Sequence, residues 1–249
     1  MMVGHRKKRG ILMRTLMKIT LLVTLLVIGM GTMFATTTDE LMITVGGVSA
    51  TFTDNVFGCV GAGCGALIGD LNPFASTTTV SGSLGGWTIS ITSGTSNSPG
   101  FHPFGLDVTS LTATCVGGGC TANPLDIQYT DINFNPAYPG FVTAYSTTMV
   151  GAGSTSESAY FDNANALFAE TTLIGTVGPF IATGHGTVSG GVGAVAPYSL
   201  TLDQVFTAAG GPVSFSSDGS ISVPEPGAVM LFGTVLVLCA SKLRRRRAS

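Results

Sequence analysis

Four cysteines stand in two near-copies of one hexapeptide, Cys59-Val60-Gly61-Ala62-Gly63-Cys64 and Cys115-Val116-Gly117-Gly118-Gly119-Cys120. Four cysteines allow three disulfide connectivities. Local pairing, Cys59 with Cys64 and Cys115 with Cys120, is favoured because the intervening glycines fold tightly enough to bring Cβ atoms within about 4 Å. Loops this short gain little from chain entropy, so such bridges pin loop tips. The competing chemistry is a zinc site of four thiolates, but the spacing is wider than the common C-x2-C knuckle. Cys239 lies in an apolar run and reads as filler. The flanks of the two hexapeptides are too dissimilar to extend the match into a repeat.

Other reactive types are sparse. His102 and His185 are the only histidines between residues 36 and 222, and no serine stands in a G-x-S-x-G elbow. His185, in Thr183-Gly184-His185-Gly186-Thr187, alternates onto a threonine face and reads as solvated. Paired carboxylates for glycoside cleavage would have to come from Asp107, Asp126, Asp131, Glu157 or Asp162, and no spacing fixes their separation. Asp131-x-Asn133-x-Asn135 opens like a calcium loop, but Pro136 stands where that loop needs glycine and Val142 where it needs a bidentate glutamate. On a strand those three residues form one polar face. Asp162-Asn163 is a second place for calcium. Tyr138, Tyr145, Tyr160 and Tyr198 are candidate platforms for a sugar ring. The pattern names no catalytic residue, no metal set and no cofactor.

The charge distribution narrows the classes further. All eleven Lys and Arg lie at or before Lys18 or at or after Lys242, whereas twelve of the thirteen acids lie between residues 36 and 222. The body therefore carries about −12, with no cation to form an internal salt bridge. Nucleic-acid binding is excluded, because nothing in the body neutralises phosphate. The arginine and lysine clamps of phosphoryl transfer are missing for the same reason. An acidic, self-repelling surface is expected.

The body is rich in Gly, Thr, Ser and Val, with short apolar runs cut by turn residues. Trp87, Ile89 and Ile91 alternate with Thr88, Ser90 and Thr92. Leu125, Ile127 and Tyr129 alternate likewise, and the phase then slips so that Ile132 and Phe134 continue it, which places a bulge near Thr130. Further strands are expected over 41–48, 80–84, 106–114, 141–149, 171–177, 180–188, 198–206, 213–216 and 220–223. Residues 157–170 are ambiguous between helix and strand. Many short strands with Gly, Asn and Pro punctuation argue for an all-β domain over residues 36–222, a single jelly-roll-like or barrel-like sandwich.

The ends read as membrane handles. A basic stretch from Arg6 to Lys18 precedes the apolar residues 19–34, the layout of a signal peptide over 1–35. At the other end come Val223-Pro224-Glu225-Pro226, an apolar run over 227–240, and Arg244, Arg245, Arg246 and Arg247. The prolines stiffen the first part and bar it from a helix. The apolar run would make a transmembrane helix of about 21 Å, short of the ~30 Å hydrocarbon core. The arginines place the C-terminus on the cytoplasmic side.

This three-part order over 223–249 resembles the PEP-CTERM sorting signal of Gram-negative bacteria that make extracellular polysaccharide. The resemblance implies recognition by exosortase near Val223, Pro224, Glu225 and Pro226, a transient membrane anchor, and release to the cell surface or beyond. It implies an exported, non-catalytic surface or matrix protein associated with exopolysaccharide in a biofilm. A carbohydrate- or calcium-dependent binding module is the alternative, and a polysaccharide hydrolase a distant third.

Overall fold

The computed structural model describes residues 39–56, 58–70, 77–98, 105–135 and 137–223. The signal segment, His102 and the sorting signal from Pro224 onward, including its transmembrane run, lie outside the described residues. Among those described there is no α-helix, only a 3-10 turn at Cys64–Ala66, and no helix long and apolar enough to cross a membrane.

Among the described residues eleven strands form one antiparallel sheet: β1 (Glu40–Val45), β2 (Val48–Thr53), β3 (Leu67–Ile68), β4 (Thr77–Leu84), β5 (Trp87–Ser96), β6 (Leu106–Cys115), β7 (Leu125–Phe134), β8 (Phe141–Asp162), β9 (Thr172–Phe180), β10 (Gly184–Gly190) and β11 (Tyr198–Ser222). Two long strands organise it. β8 and β11 pair along nearly their whole length, with a register shift between Ala208 and Val213. The first half of β11 pairs on its other edge with β7, and the second half with β6. The ribbon therefore divides the sheet into two leaves. One runs β2-β1-β7-β11-β8-β9, and the other β3-β4-β5-β6-β11-β8-β10.

Glycine permits the bend. Gly151 has φ +102° and lies so close to Pro212 that a Cβ would collide with its carbonyl oxygen. A side chain there would be strained on both counts.

The inner faces are apolar. Phe215 packs on Phe206 at 5.3 Å and on Trp87 at 6.1 Å between ring centroids. Trp87, Ile89 and Ile91 are buried, as their alternation predicts, and Trp87 Nε1 donates to the Asn123 carbonyl at 3.0 Å. Its indole is thus satisfied as well as packed.

Several boundaries differ from the sequence reading. The expected strand over 41–48 breaks at Gly46-Gly47, which turn β1 into β2, and 180–188 breaks at 181–183 between β9 and β10. The three short runs over 198–223 fuse into β11. Residues 157–162 end β8 rather than beginning a helix. The phase slip in β7 sits at Asn133, with φ +69°, instead of at Thr130. Asp131 is consequently buried while Asn133 is exposed, so Asp131, Asn133 and Asn135 do not form one polar face.

Candidate functional site

Half of the body's carboxylates are not on the surface. Asp39, Asp54, Asp70, Asp131, Glu157 and Asp162 are buried, against the expectation of a simple acidic exterior. With no Lys or Arg among the described residues, a buried carboxyl there is held by hydroxyls and amides or keeps its proton. Glu157 shows the first device. Its Oε1 accepts from Thr143 Oγ1 at 2.8 Å and its Oε2 from Gln204 Nε2 at 2.9 Å, while Ser217 Oγ donates to Gln204 Oε1 at 3.1 Å. Burial pushes the Glu157 carboxyl well above the usual range. Asp39 accepts from Tyr129 OH at 2.5 Å and Thr78 Oγ1 at 3.2 Å; burial, then the charges of Asp54 and Asp131, push it up to about 7. Both groups face the interior and build the fold.

The outer face of the first leaf is different. Cross-strand register aligns Met42, Gln128, Asp203 and Ser158 across β1, β7, β11 and β8. Asp126 lies two residues before Gln128 on the same face, diagonal to Asp203. Such diagonal neighbours are within side-chain reach, and the two carboxyls interact. Burial, then the Asp126 carboxylate and its hydrogen bond, push Asp203 up to about 8; burial also raises Asp126, whose bond to Asp203 offsets part of the rise. Burial of both carboxyls side by side therefore favours a proton shared by the pair. Beyond that shared proton, the buried Oδ1 atoms of both accept no hydrogen bond.

A wall stands beside the pair. Residues 163–171 fold over one end of this face, where Phe168 N donates to Thr130 Oγ1 at 3.2 Å and Gln128 Nε2 to Glu170 Oε1 at 2.6 Å. Tyr160 is half-buried next to them. Its hydroxyl is raised by burial, and the carboxyls of Glu170, Asp203 and Asp126 are near enough to add to the shift. The result is a shelf of acceptors, one shared donor, an amide and an aromatic ring.

The second leaf carries a cleft of about 250 Å³ on its outer face, lined by Asp107, Asp218, His185, Ser146, Thr187 and Ser220. Asp107 is pushed up to about 6 by burial and then by Asp218. Asp218 is already engaged by Ser110 N at 2.7 Å, where β6 bulges. His185 is exposed.

No family model matches the chain, and no curated protein does. Solved structures that resemble it do so weakly. The enzymatically active domain of bacteriophage CBA120 tailspike protein 4 shares 12% identity at TM-score 0.31, over 56% of this chain and 19% of the phage chain, so this chain spans about a fifth of that one's length. The carbohydrate-binding module TmCBM61, in complex with β-1,4-galactotriose, shares 8% identity at TM-score 0.29, over 55% of this chain and 88% of that one. A structure of promiscuous carbohydrate-binding modules of the β-sandwich superfamily shares 17% identity at TM-score 0.30, over 76% and 74%. At these scores the likenesses assign neither a family nor a ligand.

The structure separates the sequence candidates. Cys59 is bridged to Cys64 and Cys115 to Cys120, with Cα atoms 5.5 and 5.9 Å apart. The second pair does more than pin a loop tip, since Cys115 and Cys120 are both buried in the core. The five candidate carboxylates are dispersed. Asp131 accepts from Ser96 Oγ at 2.5 Å in the interior, Asp162 caps Ala166 N at 3.1 Å, Glu157 is enclosed, Asp107 faces Asp218, and Asp126 alone meets Asp203. Asn163 is spent on the 193–195 loop, through Gly193 O and Val195 N. Among the described residues no three His, Cys, Asp or Glu side chains come together to hold a metal. Tyr145 and Tyr198 are buried, leaving Tyr160 and Tyr138 partly exposed. Asp203 and Gln128 were missed. The available signal was alternation: Gln128 and Asp203 interrupt apolar residues that face the other way.

Proposed function

We propose that this chain is an exported, non-catalytic binding protein that takes a neutral, hydroxyl-rich polymer on the outer face of its first leaf. The observation that carries this reading is the Asp126–Asp203 pair, half-buried beside Gln128 and Tyr160. Two carboxyls sharing one proton offer acceptors and a donor at once, which suits the paired hydroxyls of a sugar ring. The ring of Tyr160 supplies an apolar surface with a polar tip beside them. A phosphorylated or sulfated polymer would meet only repulsion on a body without lysine or arginine.

Export is part of the proposal. It is supported by the signal-like N-terminus, by the PEP-CTERM-like residues Val223 to Pro226 and Arg244 to Arg247, and by two disulfides, which persist in oxidising compartments. Under this reading exosortase processes the tail, the membrane holds the precursor transiently, and exopolysaccharide is the ligand outside.

The test is retardation of the exported protein in gels containing neutral or anionic polysaccharides. Binding to a neutral polymer, lost in Asp203→Ala and Tyr160→Ala and unaffected by EDTA, supports the reading. Retardation abolished by EDTA would replace it with a calcium-dependent module, and no retardation by any polymer would reject it.

A further inference from the structure

The cleft on the outer face of the second leaf has no part in the first-leaf site, and strand register shows how it is built. β10, β8, β11 and β6 lie side by side there, and two rows of outward residues cross them. One row is Thr187, Ala144, Ser220 and Asp107; the other is His185, Ser146 and Asp218. Neighbouring strands are about 4.8 Å apart, so the longer row runs for roughly 14 Å, about 7 Å from the other. Ala144 leaves the middle of the cleft low between polar walls.

Two of these groups lack protein partners. Ser220 is only 9% exposed, yet its hydroxyl, on the cleft side, bonds to no described residue. Asp107 is half-buried beside it and likewise accepts no hydrogen bond among the described residues. Polar groups buried to this degree are ordinarily paired, so both are set to meet hydroxyls that enter the cleft. Asp218, by contrast, is fixed. β6 bulges at Ser110, whose φ is +54° and whose amide donates to Asp218 Oδ1 at 2.7 Å. Bulges re-aim side chains beside functional sites, and this one holds a carboxylate at the cleft's edge.

The lining restricts the ligand. Its walls carry no aliphatic side chain larger than Ala144, and the Tyr145 ring turns inward onto Phe180, so an apolar guest would gain little burial. Two carboxylates with no lysine or arginine among the described residues repel an anion. Hydroxyls, carboxylate acceptors and an exposed imidazole together suit the neighbouring hydroxyls of a sugar ring.

The cleft also stands back to back with the Asp126–Asp203 shelf. Alternate residues of a strand face opposite sides, so Asp203 and Gln204 point opposite ways, as do Ser217 and Asp218. Gln204 and Ser217 meet inside the sandwich at 3.1 Å. Asp203 and Asp218 are thereby set outward on opposite faces at one level. A polymer strand lying on one face reaches the other only by rounding the sheet edge.

We propose that the second-leaf cleft is a second, weaker site for a neutral, hydroxyl-rich polymer, so that one domain bridges two polymer chains. It is the weaker because no tyrosine or tryptophan ring faces it. Along a polymer, effective concentration turns many weak contacts into a lasting bridge. Bridging rests on the first-leaf site; occupancy of the cleft does not.

The test takes two readouts on the exported protein. His185, the one histidine among the described residues, reports on the cleft alone. Its imidazole proton resonance, assigned by its loss in His185→Gln, should shift on adding millimolar maltotriose, cellotriose or mannotriose. The shift should persist in Asp203→Ala. It should vanish in Ala144→Phe, which fills the cleft, and equally in Asp107→Ala with Ser220→Ala. For the second readout, beads carry whichever of amylopectin, hydroxyethylcellulose and mannan retards the protein. Wild type should agglutinate them, and both cleft variants should do so at least ten-fold less while their gel retardation stays within two-fold. No shift with any of the three sugars, or a shift only with the glucosamine trimer, whose ammonium groups carboxylates would bind, overturns the cleft as a neutral-sugar site. Agglutination that survives in the cleft variants overturns bridging. A His185 shift without retardation by any polymer marks failure of the first-leaf site, and bridging falls with it.

Discussion

Gly219 lies directly over the buried carboxyl of Glu157: a Cβ at residue 219 would overlap Glu157 Oε2 and crowd Gln204 Nε2. The glycine is a consequence of placing a carboxyl where a sandwich normally holds an aliphatic side chain. Gly219→Ala should therefore destabilise by about 1–3 kcal/mol through overpacking. Glu157→Ala should cost about 2–5 kcal/mol, because it opens a cavity and strips partners from Gln204 and Thr143. Glu157→Gln, which keeps the shape and the hydrogen-bonding capacity, should cost under about 1 kcal/mol. Chemical denaturation of the three variants checks the order.

Stability should fall as pH rises through neutrality. Asp39 at about 7, Asp107 at about 6, Asp203 at about 8 and the raised Glu157 all bind a proton more tightly folded than unfolded. Their contribution is complete below about pH 4 and is lost as pH climbs through 6 to 8. Asp162, lowered by the hydrogen bonds it accepts despite its burial, acts oppositely and is lost only in acid. Thermal melts should give a higher Tm at pH 5 than at pH 8.5; about 2 kcal/mol of difference would be worth roughly 4–8 °C. An equal or higher Tm at pH 8.5 would contradict the proton-holding interior.

Ligand binding on the first leaf should carry its own pH signature. While the pair holds its shared proton it can donate, and once that proton is lost in alkaline solution the pair becomes two repelling carboxylates with no donor. Retention on a neutral polysaccharide should drop about ten-fold between pH 7 and pH 10, roughly the loss of one charge-assisted hydrogen bond. Asp203→Asn, a permanent donor, should flatten that profile. A steep profile persisting in Asp203→Asn would assign the titration elsewhere.

The two disulfides should differ in worth. Replacing Cys115 and Cys120 by serine puts polar groups into the core beside Trp87, whereas Cys59 and Cys64 are only partly buried. Loop entropy predicts about 2 kcal/mol for each bridge, so the Cys115/Cys120 pair should cost clearly more through its added burial penalty. Unreduced protein should leave all four cysteines unlabelled under denaturant, as peptide mapping would show.

Export makes a prediction about the ends. Secreted material should begin near Thr36 and lack Arg244 to Arg247, and deleting exosortase should retain the full tail. Mass spectrometry of the surface fraction decides it; an intact tail on secreted protein would reject PEP-CTERM processing.

Much of the fold was legible because alternation is a local property. Trp87, Ile89 and Ile91, or Leu125, Ile127 and Tyr129, declare a buried face without reference to the rest of the chain. Gly-rich spacing between paired cysteines likewise makes local bridging the shortest route. The charge map needed only counting, and it sets twelve acids between residues 36 and 222 and every lysine and arginine outside them. What alternation cannot express is which strand lies beside which. Asp126 and Asp203 are far apart in sequence, and Glu157 meets Gln204 only because β8 and β11 pair along a bent ribbon. Nor could charge alone tell a solvated aspartate from an enclosed one. Whether a carboxyl keeps its proton depends on the dielectric and the donors around it, and those are set by residues that only tertiary folding brings within a few ångströms.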